Sequence, residues 1–422
     1  MNTTPTLIES WLESANDPET HFPVNNLALG VCSFGDHGPA CCVAIGNQVF
    51  NCQSAEKSGF LNLQEEPLFA SPFWNALMQA GPETWRAFRG RLIEIFAQGS
   101  SDEAAARKHL IALNETKSHI PFKVAEYTDF YAGRHHATNV GTMFRGPENA
   151  LPPNWLHMPI GYNGRASSVV ISGTEIRRPW GQLKSTKYEK PAMLPSRRFD
   201  FELEIGAIVG QISNGPVSVK QANTMIFGYV ILNDWSARDI QAWEYQPLGP
   251  FQAKATATSI SPWIIMREAL EPFKCDTPVR DFELLDHLKD CGPMLYDINL
   301  AVSLRTGQGK VSQISATNYR EMYYSSAQQL AHHTSSGCPM RVGDLLGSGT
   351  ISGALHDERG SMLELSWGGK EPLLLTGGDT RTFLEDGDTV IMTGAAKGDG
   401  YNIGFGECRG TVLPALEKPY QE

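Results

Sequence analysis

Glycine and proline interrupt this chain so often that few stretches are long enough for a helix, and this constrains its fold more than any other feature. The 422 residues include 40 glycines and 26 prolines, and the segments between them are short runs suited to β-strands. Apolar residues alternate with others from Ile298 to Leu304, as on a half-buried strand. A longer helical pattern runs from Asn318 to His333. The sequence therefore predicts a mostly β, β-rich α+β protein.

The first 120 residues differ in pattern from the remainder. Two short strands are predicted over 27–32 and 41–46, which suggests a small β-barrel or meander. An apolar stripe predicts a helix, and it consists of Trp85, Phe88, Leu92 and Ile95. Ser101, followed by two acids, predicts the N-cap of a second helix that extends to Leu113. The polar run from Asn114 to Pro121 is typical of a linker, so we expect a small domain over 1–120 and a larger one over 121–422.

The net charge and the cysteine pattern indicate which binding partners and which cellular compartment to expect. The formal net charge is −11, which disfavours nucleic acid and anionic membranes as partners. The N-terminal residues have no basic segment followed by an apolar one, and no apolar run has the length of a membrane span. Eight cysteines occur without a CxxC pair, which favours a reducing compartment such as the cytoplasm over a disulfide-stabilised fold.

Alternating acidic and apolar residues from Phe199 to Gly206 predict a strand that presents Glu202 and Glu204 on one face. Two carboxylates on one face repel each other unless a cation or a base lies between them. A hard divalent ion with oxygen ligands would satisfy both. The alternative is a solvated strand face, which is the more common situation for this pattern.

A buried strand is predicted from Met225 to Leu232, with Asp234 at its end. Ser236 is a suitable N-cap for the helix that follows. On that helix a guanidinium, an amide and a phenol share one face, a combination suited to carboxylates or oxyanions. These side chains are Arg238, Gln241 and Tyr245. The polar surface of an ordinary amphipathic helix explains the pattern equally well.

Three further segments carry polar groups that could take part in chemistry. Asp129 and Tyr131 share a face if extended, and His136 can accept a proton near neutral pH. The alternative interpretation of these three residues is a polar loop with a surface histidine. Lys254 lies among small residues, where it either holds an anion or is simply exposed. Glu364 stands in a strand-like apolar run and could orient a histidine, unless it faces solvent.

Several motifs, in this order, resemble the fumarylacetoacetase family. They are Asp129-Phe-Tyr, His136-Ala-Thr-Asn-Val-Gly, Phe201-Glu-Leu-Glu, Asn233-Asp-Trp-Ser-Ala-Arg-Asp-Ile-Gln, Pro247-Leu-Gly-Pro-Phe, Ser348-Gly-Thr-Ile-Ser-Gly and Gly398-Asp-Gly-Tyr-Asn-Ile-Gly-Phe-Gly. The resemblance covers nearly the whole second domain and is weaker before residue 120. It implies an SH3-like N-terminal β-barrel and a C-terminal β-roll or β-sandwich of the fumarylacetoacetate-hydrolase type.

The resemblance also implies roles for individual residues. Calcium or magnesium ligands would be Asp129, Glu202, Glu204 and Asp234. His136 would be the general base and Glu364 its orienting carboxylate. Arg238, Gln241 and Lys254 would stabilise the developing negative charge. Substrate contacts would come from Tyr131, Arg145, Tyr162, Gln241, Tyr245 and Thr350. Lys254 and Thr258 match positions near a second, magnesium-type site, although a protonated amine cannot itself ligate a cation.

The implied reaction is hydrolysis of 4-fumarylacetoacetate, a dicarboxylate β-diketone, to fumarate and acetoacetate, the last step of tyrosine and phenylalanine breakdown. A homodimer is also implied. The alternatives are another oxo-acid hydrolase, decarboxylase or hydratase of the superfamily, or a non-catalytic metal- or ligand-binding protein. The sequence departs from the family pattern in two places, where His135 replaces an amide and where the run from Lys254 to Thr258 lacks a glycine.

Overall fold

The computed structural model describes residues 6–184 and 189–420, so part of the N-terminal segment considered for a signal lies outside the described residues. Five antiparallel strands form the N-terminal sheet, in the spatial order β4-β3-β2-β1-β5. They are β1 (Ala28–Phe34), β2 (His37–Ile45), β3 (Gln48–Asn51), β4 (Leu110–Ala112) and β5 (Thr116–His119). The two strands predicted in this region are confirmed as β1 and β2. Closure of this sheet into an SH3-like barrel stays a prediction.

Four helices accompany this sheet. They are α1 (Cys52–Lys57), α2 (Asn75–Gln79), α3 (Pro82–Phe96) and α4 (Glu103–Ala106). The apolar stripe predicted a helix correctly, because all four of its residues are buried on α3. The second predicted helix is wrong beyond its first turn, and its cap is Asp102 rather than Ser101. The chain then leaves the helix because residues 110–112 pair with β3, and the predicted linker likewise contains β5, which pairs with β1.

The remainder of the chain forms many short strands and six helices within the described residues. The strands are β6 (Tyr127–Phe130), β7 (Gly161–Asn163), β8 (Val169–Ile171), β9 (Ile176–Arg177), β10 (Trp180–Leu183), β11 (Ala192–Pro195), β12 (Phe199–Asp200), β13 (Leu203–Val209), β14 (Ile226–Asp234), β15 (Ser236–Ala237), β16 (Thr258–Ile260), β17 (Ile265–Met266), β18 (Lys274–Cys275), β19 (Leu295–Tyr296), β20 (Asn299–Arg305), β21 (Val311–Asn318), β22 (Leu345–Gly347), β23 (Leu373–Leu374), β24 (Thr380–Arg381), β25 (Thr389–Lys397) and β26 (Asn402–Leu413). The helices are α5 (Arg134–Arg145), α6 (Val219–Met225), α7 (Arg238–Glu244), α8 (Arg267–Leu270), α9 (Ser326–Thr334) and α10 (Met362–Leu365).

An eight-stranded mixed sheet carries the centre of the molecule, in the order β7-β6-β22-β13-β14-β16-β8, with β17 also paired to β14. Every residue of β13 and β14 is buried, and the buried strand that the apolar run before Asp234 predicted is confirmed as β14. Burial on both faces means that a polar group here must find a partner inside the protein. The ends of β6, β13, β14 and β22 therefore position the polar groups described below.

A second sheet, in the order β21-β20-β25-β26-β9, packs with the first around one large apolar core. The alternation from Ile298 to Leu304 predicted β20, which is confirmed with alternate residues buried. The helical pattern from Asn318 to His333 overestimated the helix, because Asn318 ends β21 and α9 begins only at Ser326. Ser325 caps α9 by accepting a hydrogen bond from the Gln328 amide, which fixes its start. The expected β-rich α+β fold class is confirmed.

The described residues also show the state of the cysteines and the length of the apolar helices. All eight cysteines are free thiols, as the absence of paired spacing indicated. In the part of the chain that the structure describes, helices long and apolar enough to cross a membrane are absent.

Candidate active site

Four buried carboxylates meet where the central strands of the large sheet end. One oxygen of each lies within 4.8 Å of the others. They are Asp129 on β6, Glu202 just before β13, Glu204 on β13 and Asp234 at the end of β14. The predicted sharing of one face by Glu202 and Glu204 is confirmed, and strand pairing adds the other two acids. Like charges so close together in a dry interior are costly without a cation between them.

The hydrogen bonds of this acidic cluster leave specific oxygens unpartnered. The Tyr162 hydroxyl lies 3.0 Å from Oδ2 of both Asp129 and Asp234, and it can donate to either. The Gly349 amide donates to Glu204 Oε2 at 2.9 Å. The remaining oxygens, Asp129 Oδ1, Asp234 Oδ1 and Glu204 Oε1, are buried without a protein partner. Three buried carboxylate oxygens without a protein partner, all within one cluster of acids, fit a hard divalent cation.

Electrostatics support the same interpretation. Burial, together with the neighbouring carboxylates, raises the pKa of Asp129 and of Glu204 well above the ordinary range. Burial also raises the pKa of Asp234, although Lys254 opposes that shift. Since each ionised acid is disfavoured here, a bound cation would be the natural compensation.

Lys254 is buried and contributes a positive charge to the acidic cluster. Its Nζ lies 2.8 Å from Asp234 Oδ2 and also contacts Glu202 Oε2. Burial disfavours charge on both partners, yet Lys254 and Arg238 lower the pKa of Glu202, and Asp234 and Glu202 raise the pKa of Lys254. Of the two alternatives for Lys254, the buried one is therefore correct, and its ammonium is held by direct ion pairs.

A histidine and a glutamate form a buried dyad beside the acidic cluster. His136 Nδ1 lies 2.6 Å from Glu364 Oε2, and the two side chains are 3% and 0% exposed. His136 lies in the first turn of α5 rather than in a polar loop. Its Nε2 faces the acidic cluster, 3.9 Å from Glu202 Oε1. Burial alone would raise the pKa of Glu364, but His136 and the hydrogen bonds from Asn139 and Ser361 lower it, so this carboxylate is held ionised.

Helix α7 presents the predicted polar face to the site. Arg238 Nη1 donates to Gln241 Oε1 at 3.1 Å and lies 2.7 Å from Glu202 Oε1. Arg238 Nη2 is buried and has no hydrogen-bond partner, so one guanidinium nitrogen can still donate. Tyr245 caps the C-terminus of α7. The cap predicted at the other end is wrong, because Ala237 is the N-cap and Ser236 belongs to β15.

These groups surround one cavity of about 320 Å³, a size suited to a small-molecule substrate. The sequence-predicted residues on its wall are Asp129, Tyr131, His136, Arg145, Tyr162, Glu202, Arg238, Gln241, Tyr245, Lys254 and Thr350. Apolar residues complete the wall, namely Phe130, Val140, Phe144, Ile160, Leu248 and Leu363. A wall that combines apolar residues with the cationic side chains of Arg145, Arg238 and Lys254 favours a small ligand that carries both apolar and anionic groups.

The other predicted site residues lie just behind the wall. Glu204 and Asp234 complete the acidic cluster beneath it. Thr258 on β16 pairs with Asp234, and its hydroxyl is buried without a partner. Glu364 stands behind His136 on α10, so the strand predicted for it is wrong. The reason is that Ser361 caps this segment by accepting a hydrogen bond from the Glu364 amide, which starts a helical turn.

Two predicted wall residues are held by their surroundings. Tyr131 lies edge-on to the His136 ring, with centroids 5.5 Å apart. Arg145 donates from Nη2 to the Ala150 carbonyl at 2.6 Å and from Nε to the Asn149 carbonyl at 3.1 Å. By contrast, His135 points away, and its side chain is 37% exposed near Glu321.

Sequence reasoning missed the residues that hold the dyad. Asn139 donates to Glu364 Oε1 at 2.9 Å, while Ser352 and Ser361 donate to Oε2 at 3.0 and 2.8 Å. Asn139 could have been found, because it stands three residues after His136 and so shares its helix face. The serines could not, because only the fold brings residues 352 and 361 beside residue 136. Asp200, which holds Arg238 Nε at 2.8 Å, was also missed.

Comparisons with known proteins show which family the chain is similar to. Residues 25–121 match the family model "Fumarylacetoacetase N-terminal", and residues 126–413 match "Fumarylacetoacetate (FAA) hydrolase C-terminal". A fumarylacetoacetase of Arabidopsis thaliana is 44% identical over 97% of this chain and 99% of that protein. A fumarylacetoacetase of Homo sapiens is 45% identical over 96% of this chain and 99% of that protein.

The fold has solved counterparts as well. The structure of a fumarylacetoacetate hydrolase from psychrophilic Exiguobacterium antarcticum covers 92% of this chain and 99% of its own, with a TM-score of 0.53. Its sequence identity is 14%, so this likeness concerns the fold alone.

Proposed function

Because the chain belongs to the fumarylacetoacetase family, we propose that it hydrolyses the carbon–carbon bond of 4-fumarylacetoacetate to give fumarate and acetoacetate. It is a hydrolase acting on carbon–carbon bonds in ketonic substances. The observation that carries the proposal is the His136–Glu364 dyad next to the cluster of four buried carboxylates, with His136, Asp129 and Glu202 on the wall of one cavity.

His136 is the general base of this proposal. Glu364 accepts a hydrogen bond from the Nδ1–H of the ring, which leaves Nε2, on the side of the cavity, as the proton acceptor. Nε2 removes a proton from water, and the resulting hydroxide attacks a ketone carbonyl of the substrate. When the carbon–carbon bond breaks, the protonated His136 can return its proton to the departing carbon. The ionised Glu364 stabilises the imidazolium between these two transfers.

The tetrahedral oxyanion needs donors that are already in place. Arg238 Nη2 has no other partner, and Gln241 is held by Arg238 through its carbonyl oxygen, so its amide N–H groups are free of that bond. Lys254 adds a nearby positive charge. Tyr131, Arg145, Tyr162, Tyr245 and Thr350 then position the substrate along the cavity. Arg145, on the cavity wall, provides a cation for one substrate carboxylate.

The acidic cluster would hold a divalent cation through Asp129, Glu202, Glu204 and Asp234. When bound, the cation supplies Lewis acidity that stabilises enolate charge on the leaving fragment. A donor set made entirely of carboxylate oxygens favours calcium or magnesium over zinc or copper. A second cation near Thr258 would have to share its surroundings with the Lys254 ammonium, which already pairs with Asp234.

The remaining parts of the proposal concern organisation. We propose a small domain over 1–120 and a catalytic domain over 121–422, a homodimer as the family resemblance implies, and action in the cytoplasm in tyrosine and phenylalanine breakdown. The net charge of −11 disfavours a nucleic-acid partner, and the anionic substrate would be bound locally by cationic side chains of the cavity, namely Arg145, Arg238 and Lys254.

The proposal is tested by incubating the enzyme with fumarylacetoacetate and following the loss of substrate ultraviolet absorbance, with calcium or magnesium added. Turnover that depends on the added cation, with fumarate and acetoacetate as products, is expected. Failure to consume the substrate with either cation would reject the proposed function. Consumption with carbon dioxide released, or with water added and no bond broken, would favour a decarboxylase or hydratase of the superfamily.

A further inference from the structure

Asp200 is a buried carboxylate that lies behind the active site without lining its cavity. It is 0% exposed. Its Oδ1 accepts the Met362 amide at 2.7 Å and the Phe201 amide at 2.8 Å. Its Oδ2 accepts the Leu363 amide at 3.0 Å and Arg238 Nε at 2.8 Å. Three backbone amides therefore fix the orientation of this carboxylate, and the fixed carboxylate in turn holds one side chain, that of Arg238.

The guanidinium of Arg238 has different surroundings at each nitrogen. Nε is bound by Asp200, and Nη1 lies between Glu202 Oε1 and Gln241 Oε1. Nη2 is buried and without a partner. Because a guanidinium is planar, bonds at Nε and Nη1 determine where the N–H groups of Nη2 point. Asp200 thus contributes one of the two attachments that direct the free donor of Arg238.

We infer that Asp200 is a positioning residue of this hydrolase. Asp200 holds Arg238 in the orientation in which its free guanidinium nitrogen donates to the oxyanion of the reaction. The inference rests on the proposed function, since the oxyanion is that of the attacked ketone. Glu202 alone could not perform this task, because it belongs to the acidic cluster and is also paired with Lys254. Asp200 has no cavity contact, so substitution there should change the reaction through Arg238 and not through substrate binding.

The competing explanation is that Asp200 serves only the fold, by accepting the amides at the start of α10. The substitution Asp200→Asn separates the two. Its amide oxygen can still accept the Met362 and Phe201 amides, whereas an NH₂ group in place of Oδ2 would face two donors, Arg238 Nε and the Leu363 amide, and donors cannot bond each other. The two backbone attachments to Oδ1 remain, so the effect falls on Arg238 and on the single Leu363 attachment, and the double-mutant cycle with Arg238→Lys separates these two contributions.

The matched control is Asp239→Asn. Asp239 follows Arg238 directly and accepts the Arg197 amide at 2.7 Å, the Ser196 hydroxyl at 2.6 Å and the Ile240 amide at 3.1 Å. It therefore resembles Asp200 in accepting hydrogen bonds from backbone amides, but it has no hydrogen bond to Arg238. We expect kcat within about 3-fold of the unmodified enzyme for Asp239→Asn, and a fall of about 10²–10³ for Asp200→Asn, the effect of one misplaced oxyanion donor.

KM and cation affinity are measured beside kcat. Both should stay within about 3-fold in Asp200→Asn, since Asp200 touches neither substrate nor the acidic cluster. A double-mutant cycle with Arg238→Lys gives the decisive result. If Asp200 acts through Arg238, then the double variant should be no more than about 3-fold slower than Arg238→Lys alone. The inference would be overturned if the two losses of kcat multiply in the double variant. It would also be overturned if the Asp200→Asn enzyme is as active as Asp239→Asn.

A second measurement applies even if Asp200→Asn does not fold. In the unmodified enzyme labelled with ¹⁵N-arginine, the Nε–H resonance that disappears in Arg238→Lys should exchange slowly with solvent, because it is buried against Asp200. Rapid exchange of that resonance would also overturn the inference. An unmodified enzyme that fails to hydrolyse fumarylacetoacetate would reject the proposed function and the inference together, which is a different result from an active enzyme that does not need Asp200.

Discussion

Gly347, the last residue of β22, provides a test of how closely the acidic cluster is packed. A methyl carbon placed on it would lie 2.7 Å from Asp129 Oδ1, 2.9 Å from Glu204 Oε2 and 3.2 Å from the Tyr127 hydroxyl. Its backbone is outside the left-handed region that favours glycine, so alanine meets no dihedral barrier there. A side chain is excluded because two carboxylates, and at a longer distance the Tyr127 hydroxyl, occupy its space.

The size of the effect of Gly347→Ala follows from these distances. Carbon and oxygen in contact need roughly 3.3 Å, so Asp129 Oδ1 must move by about half an ångström. Overpacking of this kind costs about 1–3 kcal/mol. If the displacement falls on the two carboxylates, the cost appears as weaker cation binding. Because about 1.4 kcal/mol of binding free energy corresponds to a tenfold change in Kd, we expect the Kd for calcium or magnesium to rise about 10–100-fold.

The assay is titration calorimetry of the cation into chelator-treated protein. The control is Gly307→Ala, whose added carbon would come no closer than 3.9 Å to the backbone of Gly387, and it should bind the cation as the unmodified protein does. Circular dichroism and thermal unfolding establish that both variants are folded. A folded Gly347→Ala protein with unchanged cation affinity would refute the reasoning, since the carboxylates would then not need the positions described.

Three further predictions concern single carboxylates. Glu204→Gln should raise the unfolding temperature of cation-free protein, because it removes one of the mutually repelling charges, and it should abolish the further rise that calcium produces; a calcium-dependent rise of native size would contradict this. Glu364→Gln should lower kcat by roughly 10³–10⁴ with cation affinity retained, because an amide no longer fixes the His136 tautomer; steady-state kinetics with near-native kcat would exclude the dyad. Burial raises the pKa of Asp344 from 3.8 to about 6, so the stability contributed by its protonated form is present below pH 3.8 and is lost as pH rises through about 6. Asp344→Asn should therefore raise the free energy of unfolding at pH 8 by about 1–3 kcal/mol and remove its decline between pH 3.8 and about 6, which urea unfolding at several pH values measures; an unchanged pH dependence would show that another group is responsible.

The sequence predicted the parts of the site that depend on strands. A period of two placed Glu202 and Glu204 on one face, and the apolar run before Asp234 predicted a strand that ends there. Both features are local, because alternation and continuous burial follow directly from strand geometry. The same local logic found α3 from its apolar stripe.

Long-range contacts explain what the sequence could not predict. The supposed helix through Leu113 stops early because β3 offers residues 110–112 a strand partner. Glu364 has the apolar neighbours of a strand residue, yet Ser361 starts a helical turn there. The ladder that unites Asp129 with Gly347 joins positions more than two hundred residues apart, and no periodicity encodes such a pairing. Local patterns left the role of each residue undecided. The family motifs, which occur in order along the chain, indicated that these residues belong to one site.

The central claim is that His136 supplies the base while the acidic cluster holds the cation, so the most direct test measures both properties in His136→Ala. The account predicts that turnover of fumarylacetoacetate falls to background while the Kd for calcium or magnesium stays within about 3-fold, since His136 is not a cation ligand. The control is His135→Ala, which alters the neighbouring, half-exposed histidine and should keep native turnover. A His136→Ala enzyme with native turnover, or one that loses cation binding together with activity, would contradict the account.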